Sequence, residues 1–203
     1  IPLFISIFNS FNRSSARETA ARVAAGAIAK LLLNELNIDI KSGICEIDGI
    51  KADNFNFENA KNSEIFALDS NVEDAQKNAI LKAKNSHNSV GGVALINVKN
   101  CPVGLGEPIY HKLDAQIANA MMSINAVKAV EIGDGILSSR VLGFDNNDQI
   151  RKSGFKTNHS GGILGGISNG DDINVKVYFK ATPSIFIEQE TVDIYGNEVE
   201  CKL

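Results

Sequence analysis

The chain has 203 residues, 44% of them hydrophobic, with 24 acidic and 20 basic side chains for a net charge of −4. That length supports one domain with a sizeable core. The mild acidity excludes a global pull toward nucleic acid or an anionic membrane, so an anionic ligand must be held by a local basic cluster. Three widely spaced cysteines, Cys45, Cys101 and Cys201, with no Cys-x-x-Cys pair, argue against both a metal site and a disulfide framework. They fit reduced thiols in the cytosol.

In chain order, residues 1–8 are apolar but short and lack a basic leader, so they read as a strand rather than a signal peptide or membrane span. Residues 13–37 predict one helix, with Ser14 or Ser15 as its cap. Its middle, residues 23–29, is small and apolar on every face, which predicts a helix buried between other layers. Residues 38–50 and 92–98 predict strands, and residues 72–85 a helix with Asp69 or Ser70 as cap. Leu113, Ile117, Met121 and Ile124 recur at helical spacing, so residues 113–124 predict an amphipathic helix with Met121 and Met122 as core filler. Residues 127–132, 173–179, 184–194 and 199–203 predict strands. Without a regular βαβ rhythm, the fold class is α+β with mainly antiparallel sheet.

The run Asn158-His159-Ser160-Gly161-Gly162-Ile163-Leu164-Gly165-Gly166-Ile167-Ser168 places four glycines in six positions. It predicts a loop with two tight turns, or a segment where a planar cofactor or an anion reaches the main chain. Neither the Walker loop nor the dinucleotide fingerprint is present. Arg13 and Arg17 lie one helical turn apart at a helix start, where like charges repel and the helix dipole disfavours cations. A bound anion would relieve both conflicts; pairing of Arg17 with a distant carboxylate is the other solution. Glu18 and Arg22 form a structural pair. His87 and His111 read as surface residues, and His159, beside the glycine run, as a candidate proton donor or substrate contact. The Asn12-Arg13-Ser14 and Asn158-His159-Ser160 sequons are taken as chance matches.

Four segments together carry a resemblance. They are Arg13-Ser14-Ser15-Ala16-Arg17-Glu18-Thr19-Ala20, residues 121–135 with Asn125-Ala126 and Gly133-Asp134-Gly135, the glycine run, and Phe179-Lys180-Ala181-Thr182-Pro183-Ser184-Ile185. In this order and spacing the chain resembles the chorismate synthases from Arg13 to the C-terminus. The resemblance implies a β-α-β sandwich, with sheets around a buried helical layer, formed by residues 1–203 as a single incomplete domain. It implies a lyase that converts 5-enolpyruvylshikimate 3-phosphate to chorismate and phosphate by anti-1,4-elimination, with reduced FMN donating an electron transiently. As flavin contacts it implies Arg13, Ser14, Ser15, Asn125, Ala126, Gly165, Lys180, Ala181, Thr182, Pro183 and Ser184. Arg13 and Arg17 become the anion clamps for the substrate. A cytoplasmic homotetramer is implied, and the source of reduced flavin stays open between the enzyme, with NADP as the associated nucleotide, and a separate flavin reductase.

The chain departs from the family pattern in places. Ala181 stands where the family's Lys-Pro-Thr-x-Ser has its first proline. A Phe-Gly-Glu-Ser-His-Gly opening, a second His-containing segment with a Gly-Gly-Gly run, and a closing Gly-Arg-His-Asp-Pro are missing, and with them the two histidines usually given acid–base roles. These gaps predict a break or deletion between Asn12 and Arg13. They also admit a second reading, a noncatalytic folding or oligomerisation core.

Overall fold

The computed structural model describes residues 17–202. The strand expected over residues 1–8, the Asn12–Arg13 junction and Arg13, Ser14 and Ser15 lie outside the described residues. The chain divides into two compact units. Of the described residues, one holds 17–41, Asn97–Asn125 and Glu131–Val175; the other holds Ser42–Ile96, Ala126–Val130 and 176–202.

Helix α1 spans Glu18–Glu35 and strand β1 Asp39–Ile47. The sequence predicts a single strand over 38–50, but Asp48 and Gly49 both take positive φ and turn the chain into β2, Ile50–Lys51, with Ile47 opposite Ile50. An Asp-Gly pair suits a two-residue hairpin turn, which ends the strand early. Helix α2, Phe57–Asn62, escaped the sequence reading; Asn56 Oδ1 caps it by accepting the Glu58 and Asn59 N–H groups. Helix α3, Ser70–Asn85, starts from the expected cap, Asp69, whose Oδ1 accepts the Asn71 N–H at 3.0 Å. Strand β3 covers Gly92–Lys99, helix α4 Leu113–Met122 and strand β4 Val127–Ile132, all close to expectation.

A 3₁₀ turn at Gly135–Arg140 and the one-turn helix α5, Gly143–Asn146, follow. Two short hairpins come next, β5 (Ile150–Arg151) with β6 (Gly154–Phe155) and β7 (Ile163–Leu164) with β8 (Ile167–Ser168). Strand β9, Ile173–Phe179, matches its predicted span. The last two strands are shorter than expected: β10, Gln189–Val192, and β11, Glu198–Cys201, form an antiparallel hairpin.

The main sheet has the order β2-β1-β3-β9-β4. Cys45 and Ile47, Val93 and Leu95, and Ile173, Val175 and Val177 alternate with less buried neighbours, which marks one buried face. In the second unit, Cys45, Ala60, Leu68, Val93 and Leu95 form a core that Phe57 and Tyr178 flank. A buried leucine there is worth about 1.5–3 kcal/mol of removed apolar surface.

Two expectations are corrected. No residue of α1 is buried in this chain; Val23 is 68% and Ile28 71% exposed. Apolarity on every face signals that a helix needs cover, yet says nothing of which surface supplies it, and the described residues do not. Of the two methionines, Met121 is half-buried while Met122 is 47% exposed, so only the first packs. His87 and His111 are exposed, as expected.

Candidate functional site

In the first unit, the start of α1 lies beside the end of α4. Arg22 Nε sits 3.3 Å from Glu18 Oε1, the structural pair expected from spacing, and Arg22 Nη1 also donates to Ser123 Oγ at 2.7 Å. Exposed pairs of this kind add at most about 1 kcal/mol, so the link to Ser123 matters for position more than for stability. Around it a cavity of about 340 Å³ is bordered by Glu18, Thr19, Arg22, Val23, Ser123 and Asn125. Arg17 is exposed directly ahead of α1, and no ion pair among the described residues engages it. Its predicted partner in anion binding, Arg13, lies outside the described residues.

In the second unit, Ala126 follows at φ 69°, an uncommon conformation for a residue with a Cβ. Its carbonyl accepts the Lys180 N–H at 2.9 Å. Two predicted site segments thus meet through the backbone. Beyond Lys180, the Thr182 carbonyl accepts Ser89 Oγ at 2.7 Å and the Pro183 carbonyl accepts Gln189 Nε2 at 3.2 Å. Two carbonyls of this segment are therefore occupied within the unit. The exposed Lys180 ammonium and the hydroxyls of Thr182 and Ser184 carry no hydrogen bond or ion pair among the described residues. One cation and two hydroxyls form a donor set that suits a phosphate monoester such as that of FMN, so these residues fit the implied cofactor. The absence of proline at Ala181 removes no donor.

A wider hollow of about 610 Å³ along β10 and β11 fits poorly. Glu190, Glu198 and Glu200 line it, with Glu190 directly opposite Glu200, and these carboxylates repel a phosphate.

The glycine run, also in the first unit, folds as its turn reading predicts. Gly165 and Gly166, at φ 60° and 84°, turn β7 into β8. Gly165 is exposed with open space where a Cβ would stand, so a planar ligand can approach the main chain there. Gly161 differs: a Cβ there would collide with the backbone nitrogen and Cα of Gly133. Asn158 braces the same segment, its Oδ1 accepting the Gly162 N–H and its Nδ2 donating to the Asp172 carbonyl, both at 2.7 Å.

Asp148 and Asp134, which carry no role in the sequence reading, organise the residues between. Asp148 accepts the His159 N–H, the Ser160 N–H, Ser160 Oγ and Thr157 Oγ1 at 2.6–2.9 Å. Burial on its own would raise this carboxyl; the bonds from Ser160, His159 and Thr157 outweigh it and hold the group at about 2. Asp134 Oδ2 lies 2.6 Å from His159 Nδ1, and the Asp134 N–H donates to the His159 carbonyl at 2.9 Å. The sequence signal for Asp134 is its place between Gly133 and Gly135; Asp148 leaves no signal beyond its residue type.

The comparisons agree with this picture. The chorismate synthase family profile matches residues 5–203. The chorismate synthase of Aliarcobacter butzleri (strain RM4018) is 83% identical over 94% of this chain, and that of Sulfurimonas denitrificans (strain ATCC 33889 / DSM 1251) is 65% identical over the same share. The chain spans about half the length of these curated relatives, 53% of each. A crystal structure of chorismate synthase superposes with a TM-score of 0.81 at 36% identity, covering 87% of this chain and 59% of that one. The chain belongs to the chorismate synthase family.

Proposed function

We propose that the protein containing this chain is a lyase that eliminates phosphate from 5-enolpyruvylshikimate 3-phosphate to give chorismate, with reduced FMN as cofactor. The observation that carries this reading is the junction of Ala126 with Lys180, which supplies a cation and two hydroxyls that no other described residue engages, beside a strained backbone turn. Lys180, Thr182 and Ser184 take the flavin phosphate, with Ala181 and Pro183 shaping their segment. Asn125, Ala126 and Gly165 border the flavin ring, and Arg13, Ser14 and Ser15 add the contacts of the family's Arg-Ser-Ser. Arg17, with Arg13, holds the substrate's anionic groups, which answers the charge conflict at the start of α1. Bound reduced FMN would supply electron density transiently to the departing C–O bond, with no net redox change. The chain's own residues bind, orient and neutralise.

The reading extends to a homotetramer working in the cytoplasm, with reduced flavin generated by the enzyme or by a separate reductase. In that assembly the apolar faces of α1 are covered. The noncatalytic-core reading is less well supported, because an exposed set of one cation and two hydroxyls has no purpose in a folding core. Among the described residues no helix is long and apolar enough to cross a membrane.

The test is an FMN titration of the full-length protein followed by flavin fluorescence, beside its Lys180→Ala variant. Loss of a charge-assisted hydrogen bond is expected to weaken binding about tenfold to a hundredfold, with the melting temperature unchanged. Equal affinity of both proteins would place Lys180 away from the phosphate and remove the observation that carries the proposal.

A further inference from the structure

Residues 180–184 are all exposed, so no buried side chain fixes the segment that carries the donor set. The turn between α3 and β3, residues 86–91, holds it instead. Ser89 Oγ donates to the Thr182 carbonyl at 2.7 Å, and the Phe186 N–H donates to the His87 carbonyl at 3.2 Å. The His87 and Phe186 rings meet edge to face, at 78° with their centroids 6.4 Å apart. Gly91 completes the contact. A Cβ there would stand 2.6 Å from the Phe179 carbonyl oxygen and 3.2 Å from the Ala181 nitrogen. Its φ lies outside the left-handed region, so the glycine is required by close approach to the Lys180 peptide and not by a turn. The turn is itself anchored: the Asn88 N–H donates to the Ala83 carbonyl of α3, and the Gly91 carbonyl accepts the Asp48 N–H of the β1–β2 turn. All these residues belong to the second unit. Together with the Ala126 carbonyl on the Lys180 N–H, they set the backbone from which the Lys180 ammonium and the Thr182 hydroxyl project. A lysine by itself is a charge on a flexible stem, so fixing the peptides around it narrows where its ligand meets the donors.

We propose that Ser89 and Gly91 are positioning residues for the flavin phosphate, holding residues 180–182 so that Lys180 and Thr182 converge on it. This rests on the function proposed above. Both act through the backbone of the donor segment and not on the ligand. Their contribution therefore belongs to the phosphate: it is felt by FMN and is absent for riboflavin, which has the same ring system and no phosphate.

The experiment titrates the full-length protein with FMN and with riboflavin, and records the melting temperature and the phosphorus NMR signal of bound FMN. Wild type is expected to bind FMN more tightly than riboflavin. Ser89→Ala removes one neutral hydrogen bond and is expected to weaken FMN about fivefold, with riboflavin affinity and melting temperature unchanged and the phosphorus signal shifted. Ser89→Thr keeps the hydroxyl and is expected to recover most of the FMN affinity. Ser86→Ala is the control, since that hydroxyl donates to the Ala83 carbonyl of its own helix; it is expected to bind both flavins as wild type does. Gly91→Ala forces a Cβ against the Lys180 peptide and is expected to weaken FMN more than about tenfold. Because Gly91→Ala can fail to fold, Ser89→Ala decides. A wild-type preference for FMN over riboflavin in Ser89→Ala, or the same loss of FMN in Ser86→Ala, overturns the proposal and leaves the function standing. A wild-type protein that binds FMN no more tightly than riboflavin overturns both the phosphate role of the donor set and this proposal.

Discussion

The glycine run and helix α1 are both poor in large side chains, and they end in opposite circumstances. Gly161, Gly162 and Ile163 are buried, and Asn158, Ser160 and Ser168 all carry hydrogen bonds to their surroundings. Helix α1 buries none of its residues. Small side chains permit close approach in both places, but among the described residues only the first finds a backbone to approach. A run of small residues therefore states what a segment allows; whether the contact is made depends on the surface available to it.

The largest expected effect sharpens this contrast within the glycine run itself. Gly161→Ala combines a left-handed φ of 63° with a backbone collision, and is expected to cost about 3–5 kcal/mol in urea unfolding. Gly165→Ala meets open space at a similar φ of 60° and is expected to cost about 1 kcal/mol. Equal losses would show that φ alone, not close approach, governs the run.

Next comes burial. Leu68→Ala, at a site with no exposed surface, is expected to cost about 2–5 kcal/mol. Leu31→Ala in α1, where Leu31 is 66% exposed, is expected to change the stability of the isolated chain by less than about 0.5 kcal/mol. In the full-length protein the same Leu31 change is expected to lower the melting temperature clearly. A silent Leu31 there would mean that α1 stays uncovered and that the sandwich reading fails.

The smallest effect is on acid stability. The folded Asp148 carboxyl is held at about 2, below its ordinary 3.8, so its contribution is complete above the ordinary value and is lost as pH falls from there through about 2. The shift corresponds to about 2 kcal/mol at most, reduced by solvent screening. Wild type and Asp148→Asn, unfolded in urea at several pH values, are expected to converge in stability below pH 2 and to separate above pH 4. A constant difference over that range would detach the bracing of His159 from the charge of Asp148.

What the sequence disclosed follows from how local each signal is. Strands β4 and β9 and the Asp69 cap were legible because alternation and capping act over a few residues. The β1–β2 hairpin lay hidden inside one apolar run, since a two-residue turn interrupts the pattern too briefly to register. The glycine run was legible as turns and left open as a site. Its bracing by Asp134 and Asp148 was not legible, because those contacts join residues 11–25 positions apart and a lone aspartate announces nothing about its partner. The exposure of α1 was misread for the same reason: cover is a long-range property.

The central claim is that this chain's donor set serves a flavin-dependent elimination. Its most direct test is phosphate release from 5-enolpyruvylshikimate 3-phosphate by the full-length protein, run without oxygen and with FMN reduced beforehand. The account predicts phosphate and chorismate in equal amounts over many turnovers, with the flavin still reduced at the end. No phosphate release, or flavin oxidised in step with product, would contradict it.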